Sequence, residues 1–150
     1  MIKLKIMNTK ETKEMYSMLE RQFGCRMKLE HGFAINTKNR VYAFNKEIFD
    51  AKIDSIRLNS MGLYFAEIAD DEIRLSIEGS QIAGKHASKN VVELSEEEAL
   101  RILKGEDLEK ETDCKGFVIL KRRNDFLGTG KVKGDKILNF VSKARRINQN

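Results

Sequence analysis

Two clusters of basic residues near the carboxyl end of the chain could bind a polyanion. Lys121-Arg122-Arg123 and the group Lys143, Arg145 and Arg146 lie in residues 115–150, where ten basic residues stand against two acidic ones. The preceding stretch, 93–113, carries nine acidic residues and three basic ones. Such a one-sided distribution is typical of a nucleic-acid contact. A solvated, lysine-rich surface explains the charge equally well, so charge alone leaves both interpretations open.

The residue types that carry catalysis are present but are not grouped. His31 and His86 are far apart, and neither accompanies a cysteine or carboxylate pattern of recognised spacing. Cys25 and Cys114 are isolated thiols, which argues for a reducing compartment and against a disulfide framework or a zinc site. Gly128-Thr129-Gly130 precedes no helix, so it is not a dinucleotide-binding motif. We expect no catalytic residue, no metal and no cofactor, and hence a protein that is not an enzyme.

Several residues allow two interpretations. His86, beside Lys85 and Lys89, either contacts phosphate or is a solvated linker residue. Phe126 or Phe140 either stacks on an unpaired base or belongs to the core. The glycines at 128 and 130 bend a barrel strand and, on the sharper interpretation, also let a nucleic-acid backbone approach. The acidic residues 70–72 are predicted to form a solvated turn rather than a metal site.

Three short strands are predicted to position the basic clusters. They span Gly116–Leu120, Phe126–Val132 and Ile137–Val141, and the last two are joined by a hairpin turn in which Gly134 permits a positive φ. Short strands with glycine at bends are typical of a small, closed or nearly closed sheet. The cations then lie at strand ends, on the rim of that sheet.

A capped helix is predicted in front of these strands. Val91–Leu94 is a strand, and Ser95 with Glu98 completes the capping box that begins a helix. Its inner face is predicted to bury Ala99, Leu100, Ile102 and Leu103, and Gly105 ends it. Glu106–Lys115 is predicted to be a polar, acidic loop.

The amino-terminal half alternates strands and helices. Met1–Met7 is predicted to be a strand that buries one face, and Asn8 with Glu11 caps a helix that ends at Gly24 and buries Met15, Met18, Leu19 and Phe23. The other predicted elements are a hairpin of Gly32–Asn36 with Arg40–Phe44, a short helix after Asn45 carrying Ile48, Phe49 and Ile53, a hairpin of Gly62–Ile68 with Ile73–Ile77, and a helical turn over Glu78–Ala83.

The polar segment Lys85–Asn90 carries no apolar anchor and separates the two patterns. We therefore predict two modules, 1–84 and 85–150, packed together because the linker is short. No segment approaches the run of about 18 apolar residues that a membrane span needs. The first ten residues lack the apolar region of a signal peptide. These observations predict an intracellular, cytoplasmic protein with no membrane contact.

The order of these motifs resembles a PUA domain, the RNA-binding module named from pseudouridine synthases and archaeosine transglycosylases. The resemblance is carried by the capped helix, Lys104–Leu108, the long loop and the three strands, and it extends to Nip-seven-type ribosome-biogenesis factors and to the tails of Sun-family RNA cytosine methyltransferases. The upstream segment resembles the companion pre-PUA module, on the motifs Arg40–Tyr42, Met61–Phe65 and Arg74–Gly79. The implied fold is α+β, with an N-terminal α/β pre-PUA module packed on a C-terminal PUA-type β pseudo-barrel.

The resemblance also implies where RNA would bind. The groove is bordered by the helix, the loop after it and the C-terminal strand, and the positions that match are Lys104, Gly105, Lys121, Arg122, Arg123, Lys143, Arg145 and Arg146. Two features depart from the family pattern. The loop Glu106–Asp113 is acidic where it would border the groove, and Ser142 stands where many relatives have proline.

Two functions are compatible with this sequence. The first is a non-catalytic RNA-binding protein that docks structured tRNA or rRNA and assists ribosome biogenesis or RNA modification. The second is a protein-interaction adaptor whose basic face recruits an RNA-modifying enzyme or a ribosome-assembly factor.

Overall fold

The computed structural model describes residues 3–26, 28–47, 62–141 and 143–147. The amino-terminal half forms an antiparallel sheet in the order β1-β2-β3-β4-β5. Its strands are β1 (Lys5–Ile6), β2 (His31–Ile35), β3 (Arg40–Asn45), β4 (Leu63–Ala69) and β5 (Glu72–Leu75). Helix α1 (Thr9–Phe23) packs beside β5. Each strand therefore pairs with the strand that comes next in the chain.

The carboxyl-terminal half forms a second sheet, which curls as a half-barrel in the order β6-β8-β9-β10-β7. Its strands are β6 (Val91–Glu93), β7 (Leu108–Glu109), β8 (Gly116–Arg122), β9 (Asp125–Lys133) and β10 (Lys136–Asn139). Helix α2 (Ile77–Ala83) and a 3₁₀ turn (Gly84–His86) lead into it, α3 (Glu96–Leu103) follows β6, and a 3₁₀ turn (Lys143–Arg145) follows β10. Helices with two sheets confirm the predicted α+β class.

Local signals in the sequence fix the ends of the helices. Both predicted capping boxes are present, at Asn8 with Glu11 and at Ser95 with Glu98. Gly24 ends α1 in the left-handed conformation, at φ 68°. Asp70 and Asp71 both adopt positive φ in the turn between β4 and β5, as a two-residue hairpin turn requires. These elements are therefore determined by residues close to them in sequence.

The two halves share their apolar cores. The first core is built mainly from α1 and the first sheet, but it includes Ile119 of β8. The second core lies between α3 and the curled sheet, and it includes Ile77 of α2. Helix α2 packs on both β4 and β9, so it joins the two sheets. The predicted division between residues 84 and 85 stays a prediction.

Several predictions about the elements are wrong in detail. Ile77, predicted to end a strand, begins α2, and Met18 of α1 is only partly buried. Ile6 is 51% exposed, because β1 is a two-residue edge strand and Met7 enters the core instead. Leu100 is 46% exposed, because Ala99 and Ile102 are the buried positions of α3. The acidic loop contains a strand, β7, because Leu108 is buried and pairs with Ile137.

Other predictions fall on residues outside the described ranges. They concern Met1 and Ile2 of the first strand, Ile48, Phe49 and Ile53 of the short helix, Met61 of the pre-PUA motif, and Ser142.

Candidate nucleic-acid interface

A groove of about 570 Å³ lies between the two sheets. Its lining includes five basic side chains and one acidic side chain, Glu78. The basic residues come from both halves of the chain: Arg40 of β3, Arg74 of β5, and Lys143, Arg145 and Arg146 after β10. A concave surface lined by one sign of charge concentrates the field that attracts an oppositely charged ligand.

Buried hydrogen bonds between the two halves form the floor of the groove. The hydroxyl of Thr129, which is 3% exposed, donates to the carbonyl oxygen of Leu75 over 2.9 Å. The amide of Gly128 donates to Oγ of the fully buried Ser80 over 2.8 Å. Buried polar groups that are paired in this way hold their elements in one arrangement. The relative position of β5, α2 and β9 is therefore set by specific bonds as well as by apolar packing.

The carboxyl-terminal wall of the groove is held against the end of α3. The amide of Ile147 donates to the carbonyl oxygen of Leu103 over 2.9 Å, and Nε of Arg146 donates to that of Val141 over 3.2 Å. The Arg146 side chain lies directly over Gly105, since a Cβ placed there would be 2.5 Å from Nε of Arg146. Nη2 of Arg145 forms an ion pair of 2.7 Å with Oε1 of Glu78. These contacts place Arg146 against Gly105 and Arg145 against Glu78, and the predicted role of these residues in RNA binding stays a prediction.

The amino-terminal wall is built around Glu67 of β4. One carboxylate oxygen lies 2.6 Å from Nη2 of Arg74, and the other lies 3.6 Å from Nε of Arg40. The guanidinium of Arg74 also lies over the ring of Phe140, with 4.6 Å between Cζ and the ring centroid. Each arginine of this wall therefore has its orientation set by side chains from other strands.

Tyr64 of β4 supplies a hydroxyl to the same wall. Burial raises the pKa of Tyr64, and the Glu67 carboxylate raises it further, while Arg74 and Arg40 oppose these effects. The net shift is upward, so the phenol keeps its proton near neutral pH and can donate a hydrogen bond.

The other predicted basic cluster lies outside the groove lining. Lys121 lines a space of about 290 Å³ with Lys85 and Lys89. Its Nζ lies 5.5 Å from the ring centroid of Phe126. Arg122 pairs in register with Asp125, and the amide of the exposed Arg123 donates to Oε1 of Glu93 over 2.7 Å. Lys121, Arg122 and Arg123 thus lie at the β8–β9 turn, and Lys121 lies near the segment 84–90 that connects the two sheets.

The remaining predicted site residue, Lys104, is half-buried at the C-terminal cap of α3. The eight predicted residues therefore form two groups. One contains Lys104, Gly105, Lys143, Arg145 and Arg146 beside the groove and the end of α3, and the other contains Lys121, Arg122 and Arg123.

The packing helps to decide between the two interpretations of Phe126 and Phe140, base stacking or core, and of the glycines at 128 and 130. Phe126 packs on the first core, and Phe140 contacts Phe117 as well as Arg74, so cations already occupy positions over both rings. Gly130 is buried, and a Cβ there would lie 2.5 Å from Ile137. The missing side chain of Gly130 therefore leaves room for Ile137 and not for a nucleic-acid backbone. This favours a role in packing for these residues over a role in RNA contact.

The acidic loop contacts the groove at one end and other parts of the surface elsewhere. Glu111 and Asp113 line a different cavity, at the β9–β10 turn with Asp135. Asp107 accepts the amide of Asn139 over 2.8 Å, and Lys110 forms an ion pair of 3.1 Å with Glu98. Burial opposes ionisation of Glu98, but hydrogen bonds from Ser95 and Lys110 lower its pKa overall.

Sequence reasoning missed Arg40, Tyr64 and Arg74 as groove residues. Arg74 alternates with the buried Ile73 and Leu75 of β5, and this alternation places its side chain on the opposite face of the strand. That pattern could have identified an outward-facing cation. It could not have identified the ring of Phe140, which lies 66 residues away in sequence.

The groups that serve redox or metal chemistry are separate in the described structure. Both cysteines are free thiols, and burial raises the pKa of Cys25 to about 11. Over residues 3–26, 28–47, 62–141 and 143–147, no three histidine, cysteine or carboxylate residues are arranged to hold a metal ion. Within the same ranges, no helix has the length and apolar character that crossing a membrane requires.

Comparison with known proteins identifies the carboxyl-terminal half. Curated proteins provide no match to this chain. Residues 89–147, from β6 to the segment that holds Arg146 over Gly105, match the family of the methyltransferase RsmF PUA domain. The curled sheet, the capped α3 and the basic segment after β10 all lie within this match. Residues 89–147 are therefore similar to the PUA domain of the methyltransferase RsmF, and a PUA domain suggests RNA binding.

Proposed function

We propose that this chain is a non-catalytic RNA-binding protein that docks structured tRNA or rRNA and assists ribosome biogenesis or RNA modification. The observation that carries the proposal is the groove beside the PUA domain, whose lining has five cations and one carboxylate, Glu78. Glu67, behind the amino-terminal wall, pairs with two of these cations, so the net charge of the group stays positive. Phosphate neutralisation by lysine and arginine supplies most of the affinity in sequence-independent nucleic-acid binding. The free thiols agree with a reducing, cytoplasmic location.

The groove cations can be tested by charge removal in the full chain. We expect K143A/R145A/R146A to weaken binding of tRNA and rRNA fragments by about tenfold or more at moderate salt, because up to three phosphate contacts are lost. The slope of log Kd against log salt should fall by about two to three for the same reason. Fluorescence anisotropy at two or more salt concentrations measures both quantities.

The matched control is K115A/K133A/K136A. It removes the same charge from exposed lysines at the start of β8 and at the β9–β10 turn, outside the groove lining. Screening beyond about 10 Å at 0.1 M salt should make its effect small. Equal losses for the two triple variants would contradict the groove as the site. K121A/R122A/R123A then measures the contribution of the second predicted cluster.

Two further outcomes would contradict the docking function. If the wild-type chain binds neither RNA above background, the RNA-docking proposal fails. If a partner protein co-purifies and survives nuclease treatment while RNA binding is absent, the adaptor function is favoured. RNA recovered after incubation with the chain should have an unchanged mass, since we propose no catalytic step.

A further inference from the structure

We propose that the amino-terminal sheet forms one wall of the RNA site, and that the groove takes an unpaired nucleotide of the bound RNA. This inference rests on the proposed function and adds Arg40, Tyr64 and Arg74 to the RNA contacts. It concerns the wall opposite the PUA residues, which lies outside the matched range 89–147.

The shape of the groove favours a single nucleotide over a duplex. Its volume of about 570 Å³ falls within the range of roughly 300–1,000 Å³ that is usual for small-molecule sites. A regular A-form duplex keeps its bases stacked inside, so it cannot enter such a space. A base that is splayed out of a loop or an end can enter it.

The chemistry of the two walls matches the two parts of a nucleotide. Lys143, Arg145 and Arg146 provide positive charge for the phosphate on the carboxyl-terminal side. On the opposite side, the guanidinium plane of Arg74 lies over Phe140 and is fixed by Glu67. Unpaired bases stack on arginine planes as well as on aromatic rings. The neutral hydroxyl of Tyr64 adds a donor and acceptor for a base edge.

The amino-terminal wall is arranged before any ligand arrives. Glu67 holds both Arg40 and Arg74, and the Arg74 side chain is only 27% exposed. Arginine side chains that are already ordered lose less conformational entropy when they bind. The residual charge of this wall, two arginines with one glutamate, is still positive.

The experiment measures the affinity of the full protein chain for two RNA hairpins that have the same stem. One hairpin has a blunt end, and the other carries a single-stranded 3′ extension. We expect wild type to bind the extended hairpin more tightly, and R40A/R74A to lose about tenfold in affinity for it, equivalent to about 1.4 kcal/mol. The loss for the blunt hairpin should be smaller, because the lost contacts belong to the unpaired nucleotide.

The matched control is R21A/R26A, which removes the same charge from two exposed arginines of the amino-terminal half outside the groove. Arg74→Lys is the second variant. It keeps the charge next to Glu67 but removes the guanidinium plane, so it should lose affinity for the extended hairpin selectively. Thermal unfolding of each variant confirms that it is folded, and Arg74→Lys alone tests the inference if R40A/R74A does not fold.

The outcomes separate this inference from the proposed function. Wild type that binds neither hairpin would overturn the proposed function. The unpaired-nucleotide site would be overturned if the wild-type chain bound both hairpins with equal affinity. It would also be overturned if Arg74→Lys lost the same factor of affinity for both. Either result would leave the proposed RNA docking intact. If R21A/R26A loses as much affinity as R40A/R74A for both hairpins, the loss depends on the net charge of the amino-terminal half alone. That result would overturn the wall formed by Arg40 and Arg74.

Discussion

Individual arginines in the groove owe their orientation to side chains of other elements. Arg145 pairs with Glu78 of α2, and Arg74 is held between Glu67 and Phe140. Such partly exposed ion pairs contribute little to stability, typically about 0–1 kcal/mol. Their main consequence is therefore the direction in which each guanidinium faces.

Glu78→Gln should strengthen RNA binding. The substitution removes the acidic residue of the groove lining and frees Arg145, so we expect affinity to rise by about threefold at low salt and less at high salt. Anisotropy titrations at two salt concentrations measure this gain. Glu14→Gln, an exposed position on α1, is the control and should change little. A loss of affinity would show that Glu78 acts by holding Arg145 in place.

The family pattern names residues on one side of the groove and none on the other, for a physical reason. Gly105, Lys143, Arg145 and Arg146 were predicted from a family pattern that runs along the chain. Arg40 and Arg74 line the same groove as Lys143, Arg145 and Arg146 only because the folded protein brings β3 and β5 to the side opposite the segment after β10. That proximity depends on long-range packing, for which the amino acids around each arginine give no signal.

At the scale of elements, the end of α3 connects the helix to the basic segment. Gly105 has φ 90°, which other residues adopt at a cost, and its missing side chain leaves room for Arg146. The capping box at the start of α3 and the glycine at its end were both predicted, because capping uses residues within one turn. Strand β7 was missed because two residues become a strand only by pairing with β10.

Gly105→Ala should weaken RNA binding in addition to lowering stability. Its Cβ would displace the Arg146 side chain, while the positive φ costs about 1 kcal/mol of unfolding free energy. Gly134→Ala is the matched control, because Gly134 also has a positive φ, 65°, but a Cβ added there would meet no atom of the described residues within 4 Å. Chemical denaturation should give similar losses for both variants, whereas anisotropy should show weaker binding for Gly105→Ala only. Equal binding by both variants would contradict the role of the Gly105–Arg146 contact.

At the scale of the whole molecule, the two sheets behave as one packed structure. Ile119 of the second sheet lies in the first core, and Ile77 of α2 lies in the second. The hydroxyls of Thr129 and Ser80 bond across the same junction. Sequence patterns predicted that the halves pack together, but not which residues each half contributes to the core of the other, since these contacts are set by tertiary structure.

Ser80→Ala should destabilise both sheets together. It leaves the buried amide of Gly128 without its acceptor, which costs about 1–3 kcal/mol. Hydrogen exchange followed by NMR should show similar losses of protection in β3 and in β8, with a single unfolding transition. Ser17→Ala, at an exposed site on α1, is the control. Loss of protection confined to β8 and β9 would contradict the coupling of the sheets.

At the floor of the groove, the bond from Thr129 to Leu75 and the bond from Gly128 to Ser80 oppose any change in the separation of the two walls. Capture of RNA then requires no opening step, so the association rate should be limited by diffusion and by electrostatic attraction. The conformation of the RNA would then decide which RNAs bind. A nucleotide that is already turned out of the helix can enter the groove directly, whereas a paired stem must first break base pairs.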